Sequence, residues 1–182
     1  MALTTAKWTL DDYHRIIDAG ILDDRPVELL NGEIVDMSPE GEPHASASAD
    51  AGEYLMQLLG DRAQVRPAKP ITLPNVTSEP EPDLAIVQRL GRAYRLYHPY
   101  PEHIFWLIEY ANTSLSKDLG EKKAIYADAG IQEYWVVNLR EMTVLIFRHP
   151  VNGSYQSEEQ VNEGIIYPLA FPDIAVSINR LL

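Results

Sequence analysis

Residues 103–111, His-Ile-Phe-Trp-Leu-Ile-Glu-Tyr-Ala, constrain the fold more than any other stretch of this 182-residue chain. Apolar side chains fill almost every position, so the segment has no wet face to alternate with a dry one. A strand of that kind is buried on both sides, which requires a sheet with further elements packed on each face. Its core, Ile104–Ile108, is the longest uninterrupted apolar run in the chain, far short of the roughly 18 residues a membrane-spanning helix needs. Hydrophobic residues make up 46% of the chain and the mean hydropathy is −0.20, a globular composition. The length predicts one domain spanning 1–182. Cysteine is absent, which excludes disulfides, thiolate metal sites and a cysteine nucleophile and fits a reducing compartment. The N-terminal residues lack a long apolar signal core. The expected setting is the cytoplasm, away from any membrane.

Charge is unevenly placed. Lys and Arg number 15 against 27 Asp and Glu, a formal net charge of −12. Residues 1–60 contribute −9, residues 61–130 contribute 0 and residues 131–182 contribute −3. A net −12 argues against nucleic-acid binding by overall positive charge. Within the neutral middle, however, residues 88–101 contain no acid and interleave Arg89, Arg92 and Arg95 with Tyr94, Tyr97 and Tyr100.

The remaining elements follow from caps, turns and periodicity. Thr9-Leu-Asp-Asp12 has the form of a capping box and Gly20 a stop, predicting a helix over about 10–19. Two short runs flank Asn31-Gly32, predicting a hairpin within 27–37. A loop through Pro39, Gly41 and Pro43 leads to a helix at about 45–59, ended by Gly60. Gln64–Leu73, broken by Pro67 and Pro70, reads as an edge or bulged strand. Strands follow at 82–87 and 103–111, then a helix capped by Ser116 and running to about 129. A hairpin of 134–138 with 143–148 and a late strand at 174–178 complete the chain. This order predicts an α/β (α+β) fold, a mixed sheet flanked by helices with an N-terminal helix and hairpin.

On the helix that starts near 116, about 100° per residue places Leu119, Lys122, Tyr126 and Ala129 within about 40° of Leu115, with Lys123 about 80° away. Lys122 therefore shares the apolar stripe. It either snorkels past the stripe to water or pairs with an anion. Glu109, inside the buried strand, is such an anion, and Asp83 opens the neighbouring strand after Pro82. Two carboxylates on neighbouring strands with a lysine on the next helix form a candidate hard-metal site, suited to Mg²⁺ with waters and substrate phosphate completing its shell. Glu28 reads as a further carboxylate near the metal or as a strand-surface acid. His44 reads as a phosphate or proton-transfer group, or as a capping residue. The spacing of His14, His98, His103 and His149 does not predict a zinc site.

Pro82-Asp83 followed by Glu109-Tyr110-Ala111 resembles the PD-(D/E)xK nuclease superfamily, the restriction-endonuclease-like fold. More closely, the chain resembles its Uma-type restriction endonucleases, formerly a domain-of-unknown-function family. The matching segments are Glu28-Leu-Leu-Asn-Gly-Glu-Ile-Val, His44, Glu81-Pro-Asp83-Leu-Ala-Ile-Val, Leu107-Ile-Glu109 and Asn112-Thr-Ser114. They continue through Asp118-Leu-Gly-Glu-Lys122-Lys-Ala-Ile-Tyr126 and Gly130-Ile-Gln-Glu-Tyr134-Trp-Val-Val. The superfamily's lysine two residues after the Glu is replaced by Ala111, and the resemblance implies that Lys122 takes its place. It further implies that Asp83 and Glu109 bind Mg²⁺ or Mn²⁺, that Lys122 orients the attacking water, and that the activity is hydrolysis of DNA. Tyr126 is expected beneath the site, and Tyr134 and Trp135 in the core or an interface.

Two functional readings follow. In the first, a metal-dependent endonuclease uses Arg89, Arg92 and Arg95 with their tyrosines for phosphate contacts and stacking, as a homodimer if both strands are cut. In the second, a nuclease-like scaffold with weak or lost cleavage acts as a binding or assembly protein, favoured by the −9 on residues 1–60. Retention of Asp83, Glu109 and Lys122 together favours cutting.

Overall fold

The apolar run becomes β5 (Ile104–Ala111), third in a six-stranded sheet of order β3-β4-β5-β6-β7-β8. The computed structural model describes residues 5–112 and 115–182, so Thr113 and Ser114 of the Asn112-Thr-Ser114 motif lie outside the described residues. The other sheet strands are β3 (Gln64–Pro67), β4 (Leu84–Val87), β6 (Glu133–Asn138), β7 (Thr143–Val151) and β8 (Ser154–Val161). All neighbours are antiparallel except β5 and β6. A parallel pair needs a crossover. It is provided by α3 (Leu115–Lys117), a π-turn (Asp118–Lys122) and α4 (Lys123–Asp128).

Alternation along β5 builds both layers at once. Trp106, Ile108 and Tyr110 pack with Ala51, Leu55 and Leu59 of α2 (Glu42–Leu59) and with the C-terminal residues Phe171, Ile174 and Leu181. Leu107 and Ala111 face the opposite layer, made by Ile125 and Tyr126 of α4 and Leu30 of β1 (Val27–Leu30). Glu109 shares this second face by the two-residue period. Trp106 and Trp135, fully buried with ring centroids 5.4 Å apart, form the centre of the first layer. The mixed sheet flanked by helices is the fold that the sequence predicted.

Local signals set the periphery. Thr9 and Asp12 form the capping box of α1 (Leu10–Asp18). Asn31 and Gly32 take φ of 48° and 76° between β1 and β2 (Glu33–Asp36), the left-handed pair a two-residue hairpin turn requires. Glu79 bridges to Leu29 by backbone hydrogen bonds, Glu79 N to Leu29 O being 2.7 Å, so the segment before β4 joins this hairpin to the main sheet. No helix among the described residues is long and apolar enough to cross a membrane.

Several expectations need correction. Helix α2 starts at Glu42 rather than 45, with Pro43 in its first turn, where the missing N–H costs nothing. The edge strand stops at Pro67 and does not reach Leu73. The helix expected as one piece over 116–129 is interrupted by the π-turn, and Ser116 lies inside α3 rather than capping it. β7 extends to Val151 and pairs with an unforeseen β8. The late strand shrinks to β10 (Val176–Ser177), paired with an unforeseen β9 (Ile165–Ile166).

Candidate active site

Asp83 precedes β4 and Glu109 lies on β5; the register Leu84–Ile108 makes them cross-strand neighbours. The backbone N–H of Tyr110 donates to Asp83 Oδ2 at 2.6 Å, so the strand that carries Glu109 also fixes Asp83. Glu109 is buried beneath the crossover helices. Its Oε1 accepts from Lys122 Nζ at 2.9 Å and from Tyr126 OH at 2.7 Å. Lys122 and Tyr126 are one α-turn apart, which puts both donors above one carboxylate oxygen.

Glu28 is the second anchor of the lysines. It is 1% exposed, which removes the surface-acid reading. Its Oε1 accepts from Lys117 Nζ at 2.6 Å, its Oε2 from Glu81 N at 3.2 Å, and Lys122 Nζ lies 3.5 Å from Oε2. His44, in the first turn of α2, sets Nε2 3.1 Å from Asp83 Oδ2, and its ring meets Tyr110 edge-on with centroids 6.1 Å apart. The helix start thus aims His44 into the site; it is not a cap. Glu28, His44, Asp83, Glu109 and Lys122 all line one cleft of about 280 Å³.

The electrostatics follow from burial. Loss of water pushes the Glu109 carboxyl up, the Lys122 ammonium opposes this, and Asp83 and Asp118 add to the rise. Burial acts to lower Lys122, but Glu109 and Glu28 outweigh it and hold the ammonium above its ordinary range. Burial, then the Glu109 charge, keeps Tyr126 a protonated donor. The hydrogen bond to Asp83 raises His44 against the opposing effect of burial.

Asp83 Oδ1 and Glu109 Oε2 accept no hydrogen bond from a described residue, whereas their other oxygens are fixed by donors. Oriented carboxylate oxygens with open lone pairs suit a hard divalent cation. The donor set therefore fits the metal that the sequence resemblance implies.

The arginines are not in this group. Arg89 pairs with Asp61 at 3.0 Å and donates to Gly60 O, and Arg92 and Arg95 stand on a short 3₁₀ turn over Gly91–Arg95. Neither they nor Arg89 line the cleft. Their tyrosines pack on one another and on His103, Tyr97 and Tyr100 stacking at 5.4 Å. Conversely, Lys117, Glu40 and Asp118 belong to the cleft and were not foreseen. Asp118 is 3% exposed although uniform α-geometry turns it away from the stripe; the π-turn carries it inward, and no residue type announces that turn.

The fold has a solved relative. A solved structure described as a putative nuclease belonging to DUF820, from Anabaena variabilis ATCC 29413, superposes with a TM-score of 0.74 at 17% identity over 95% of this chain and 96% of that one. At that identity the likeness is one of fold. No curated protein matches the chain. The model of the Uma2 family, described as "Putative restriction endonuclease", matches residues 10–179. Since that span takes in α1, both layers and every residue of the cleft, the chain belongs to the Uma2 family.

Proposed function

We propose that the protein is a divalent-cation-dependent nuclease that hydrolyses phosphodiester bonds in DNA. In this reading Asp83 and Glu109 hold Mg²⁺ or Mn²⁺, and Lys122 acts on the attacking water and the phosphate. The observation that carries it is Lys122 itself, 6% exposed and donating to Glu109 at 2.9 Å inside the cleft that Asp83 lines. A lysine buried among carboxylates is costly as a structural device and apt as a donor aimed at developing phosphate charge.

The cation, when bound, supplies polarisation of the phosphodiester and a more acidic water. The chain's residues do the rest. Lys122 carries three N–H donors; one goes to Glu109, a second faces Glu28 at 3.5 Å, and the third remains for a water or phosphate oxygen. Tyr126 holds Glu109 in one orientation, and Glu28 is a positioning residue for Lys122 and Lys117. His44 fixes Asp83. Exposed Arg92 and Arg95 contact phosphates away from the scissile one. The span 1–182 works as one domain, and a homodimer supplies the two sites a double-strand cut needs.

The test is cleavage of supercoiled, linear and single-stranded DNA with Mg²⁺ or Mn²⁺, alongside Asp83→Ala and Lys122→Ala. The expected outcome is metal-dependent cutting that both substitutions reduce by at least ~100-fold. Equal activity in all three proteins would remove the assignment.

A further inference from the structure

Two ammonium groups, Lys117 and Lys122, line the cleft, joined by no arginine among the described residues. They are five positions apart. On a uniform α-helix, at about 100° per residue, that step leaves two side chains roughly 140° apart, too far round the helix to share a partner. The π-turn over Asp118–Lys122 removes the separation, its five-residue step returning the Lys123 N–H to Asp118 O. Both lysines therefore reach Glu28: Lys117 Nζ is 2.6 Å from Oε1 and Lys122 Nζ is 3.5 Å from Oε2. Such turns interrupt the regular helical ladder and are frequent at functional sites, so the second ammonium group that this one delivers calls for a role.

The two lysines differ in access. The Lys122 side chain is 7% exposed, whereas that of Lys117 is 32% exposed. Lys122 has one donor on Glu109 and a second toward Glu28. Lys117 carries three donors, of which one is taken among the described residues, by Glu28. Glu28 does not depend on Lys117 alone, because Lys122 and the Glu81 N–H also face it. Six carboxylates line the same cleft. An incoming polyanion is repelled by most of what it meets there, and Lys117 is the accessible ammonium group with donors to spare.

We propose that Lys117 contacts the substrate, donating to a non-bridging oxygen of a phosphate in the bound DNA strand other than the scissile one. The π-turn is the device that sets it there. Lys122 is shared between Glu28 Oε2 and Glu109, whereas Lys117 bonds the opposite oxygen of Glu28 and pairs with neither Glu109 nor Asp83. Its phosphate is accordingly a neighbour of the one that Asp83, Glu109 and Lys122 address. The substrate must then extend past the scissile bond, as an oligonucleotide does and an isolated diester does not. The inference rests on the proposed function, which supplies DNA as the ligand.

The experiment uses the full chain with a short DNA duplex in Ca²⁺, and fluorescence anisotropy reads binding without turnover. Lys117→Gln keeps a donor for Glu28 but not the charge. It is expected to weaken binding by about 5-fold, the upper end for one exposed ion pair, and to make the salt slope shallower by about 1. Lys117→Arg is expected to restore the slope. Lys123→Gln removes the adjacent ammonium group, which pairs with Glu158 at 3.1 Å and does not line the cleft, and is expected to leave the slope at its wild-type value. A scan of neutral methylphosphonate replacements locates the contact. One replacement, away from the phosphate cut in Mg²⁺, is expected to cost wild type about 5-fold and to cost Lys117→Gln nothing. The scan compares ligands on one protein, so a general loss of stability does not imitate it. An unchanged slope in Lys117→Gln, an equal change in Lys123→Gln, equal replacement costs in both proteins at every position, or coupling confined to the cut phosphate would each overturn the inference. Metal-dependent cleavage by wild type would leave the nuclease reading standing in those cases, whereas wild type that binds no DNA in Ca²⁺ would overturn both.

Discussion

Lys122 answers to two carboxylates at once, Glu109 at 2.9 Å and Glu28 at 3.5 Å, and all three side chains are almost fully buried. Removing one member of a buried ionic group leaves an uncompensated charge, which typically costs about 3–5 kcal/mol. Lys122→Met keeps the aliphatic stem but strands Glu109, whereas Glu28 keeps Lys117. It is expected to lower stability by roughly 3 kcal/mol in urea unfolding as well as to abolish cleavage. The double variant Lys122→Met/Glu109→Gln is expected to recover much of that stability and none of the cleavage. The carboxamide needs no counter-charge but offers a weaker ligand. If Lys122→Met unfolds with the wild-type midpoint, the ammonium is solvated and the buried network described above is wrong. The same site marks how far single residues could be read in advance. Lys122 was legible because helical period alone put it on the dry face. Glu28 was not, because a four-residue strand gives no basis for choosing which side is covered. The cover comes from Lys117, Lys122 and the segment before β4, all distant in sequence.

At the level of elements, two Asn-Gly turns had different fates. Asn31-Gly32 stands between two obvious short runs and was read correctly. Asn152-Gly153 has the same left-handed pair, φ 49° and 74°, and joins β7 to β8 with Val151 opposite Ser154. It escaped because Pro150 breaks the first run and β8, Ser-Tyr-Gln-Ser-Glu-Glu-Gln-Val, is nearly all polar, as suits a sheet edge. Gly153 also packs against the carboxylate of Asp128 on α4, where a Cβ would collide. Gly153→Ala therefore combines left-handed strain with a clash, and is expected to lower stability by about 1–2 kcal/mol. Asp128→Ala should restore the steric part alone, so a double-mutant cycle with no coupling would refute the contact. Helix α1 is held differently, by Tyr13 OH donating to Val27 O and by His14 on Glu79. His98 lies 4.0 Å from the same carboxylate. Burial, with Arg66 and His14 nearby, lowers the His98 pKa although Glu79 opposes this. A histidine depressed in the folded state takes up its proton first in the unfolded chain, so its contribution is complete above the ordinary value near 6.5 and is lost as pH falls below it. His98→Asn should accordingly lose less melting temperature than wild type between pH 7.5 and pH 5.5. Parallel losses would show that His98 is not a source of the acid sensitivity.

For the molecule as a whole, the layered architecture was legible because one strand, apolar on both faces, admits few alternatives. The geometry of the candidate site was less so, since it depends on the π-turn and on contacts between residues 28, 83, 109 and 122 that no local pattern encodes. The net charge of −12 takes on a more specific meaning once the cleft is known. The acids are not spread evenly over the surface, because six carboxylates face two ammonium groups in the cleft itself. A polyanion entering it without cations meets like charge at a few ångströms, where screening at physiological salt, with a Debye length of about 8 Å, is incomplete. The proposed nuclease should therefore bind a short DNA duplex poorly in EDTA and at least ~10-fold more tightly in Ca²⁺, a hard cation that takes the same oxygen ligands. Fluorescence anisotropy measures this without turnover complicating the signal. The double variant Asp83→Asn/Glu109→Gln removes two negative charges together with the proposed ligands. It should bind DNA more tightly than wild type in EDTA and gain little from Ca²⁺, so that the two proteins exchange rank when the cation is added. Under the proposed function few phosphates would meet fixed cations, Arg92, Arg95 and Lys117 being the candidates. The salt slope in Ca²⁺ should thus be shallow, near −3 for about three phosphates. Wild-type binding that is equal in EDTA and Ca²⁺ would mean that DNA approaches through another face, and would separate nucleic-acid binding from this cleft altogether.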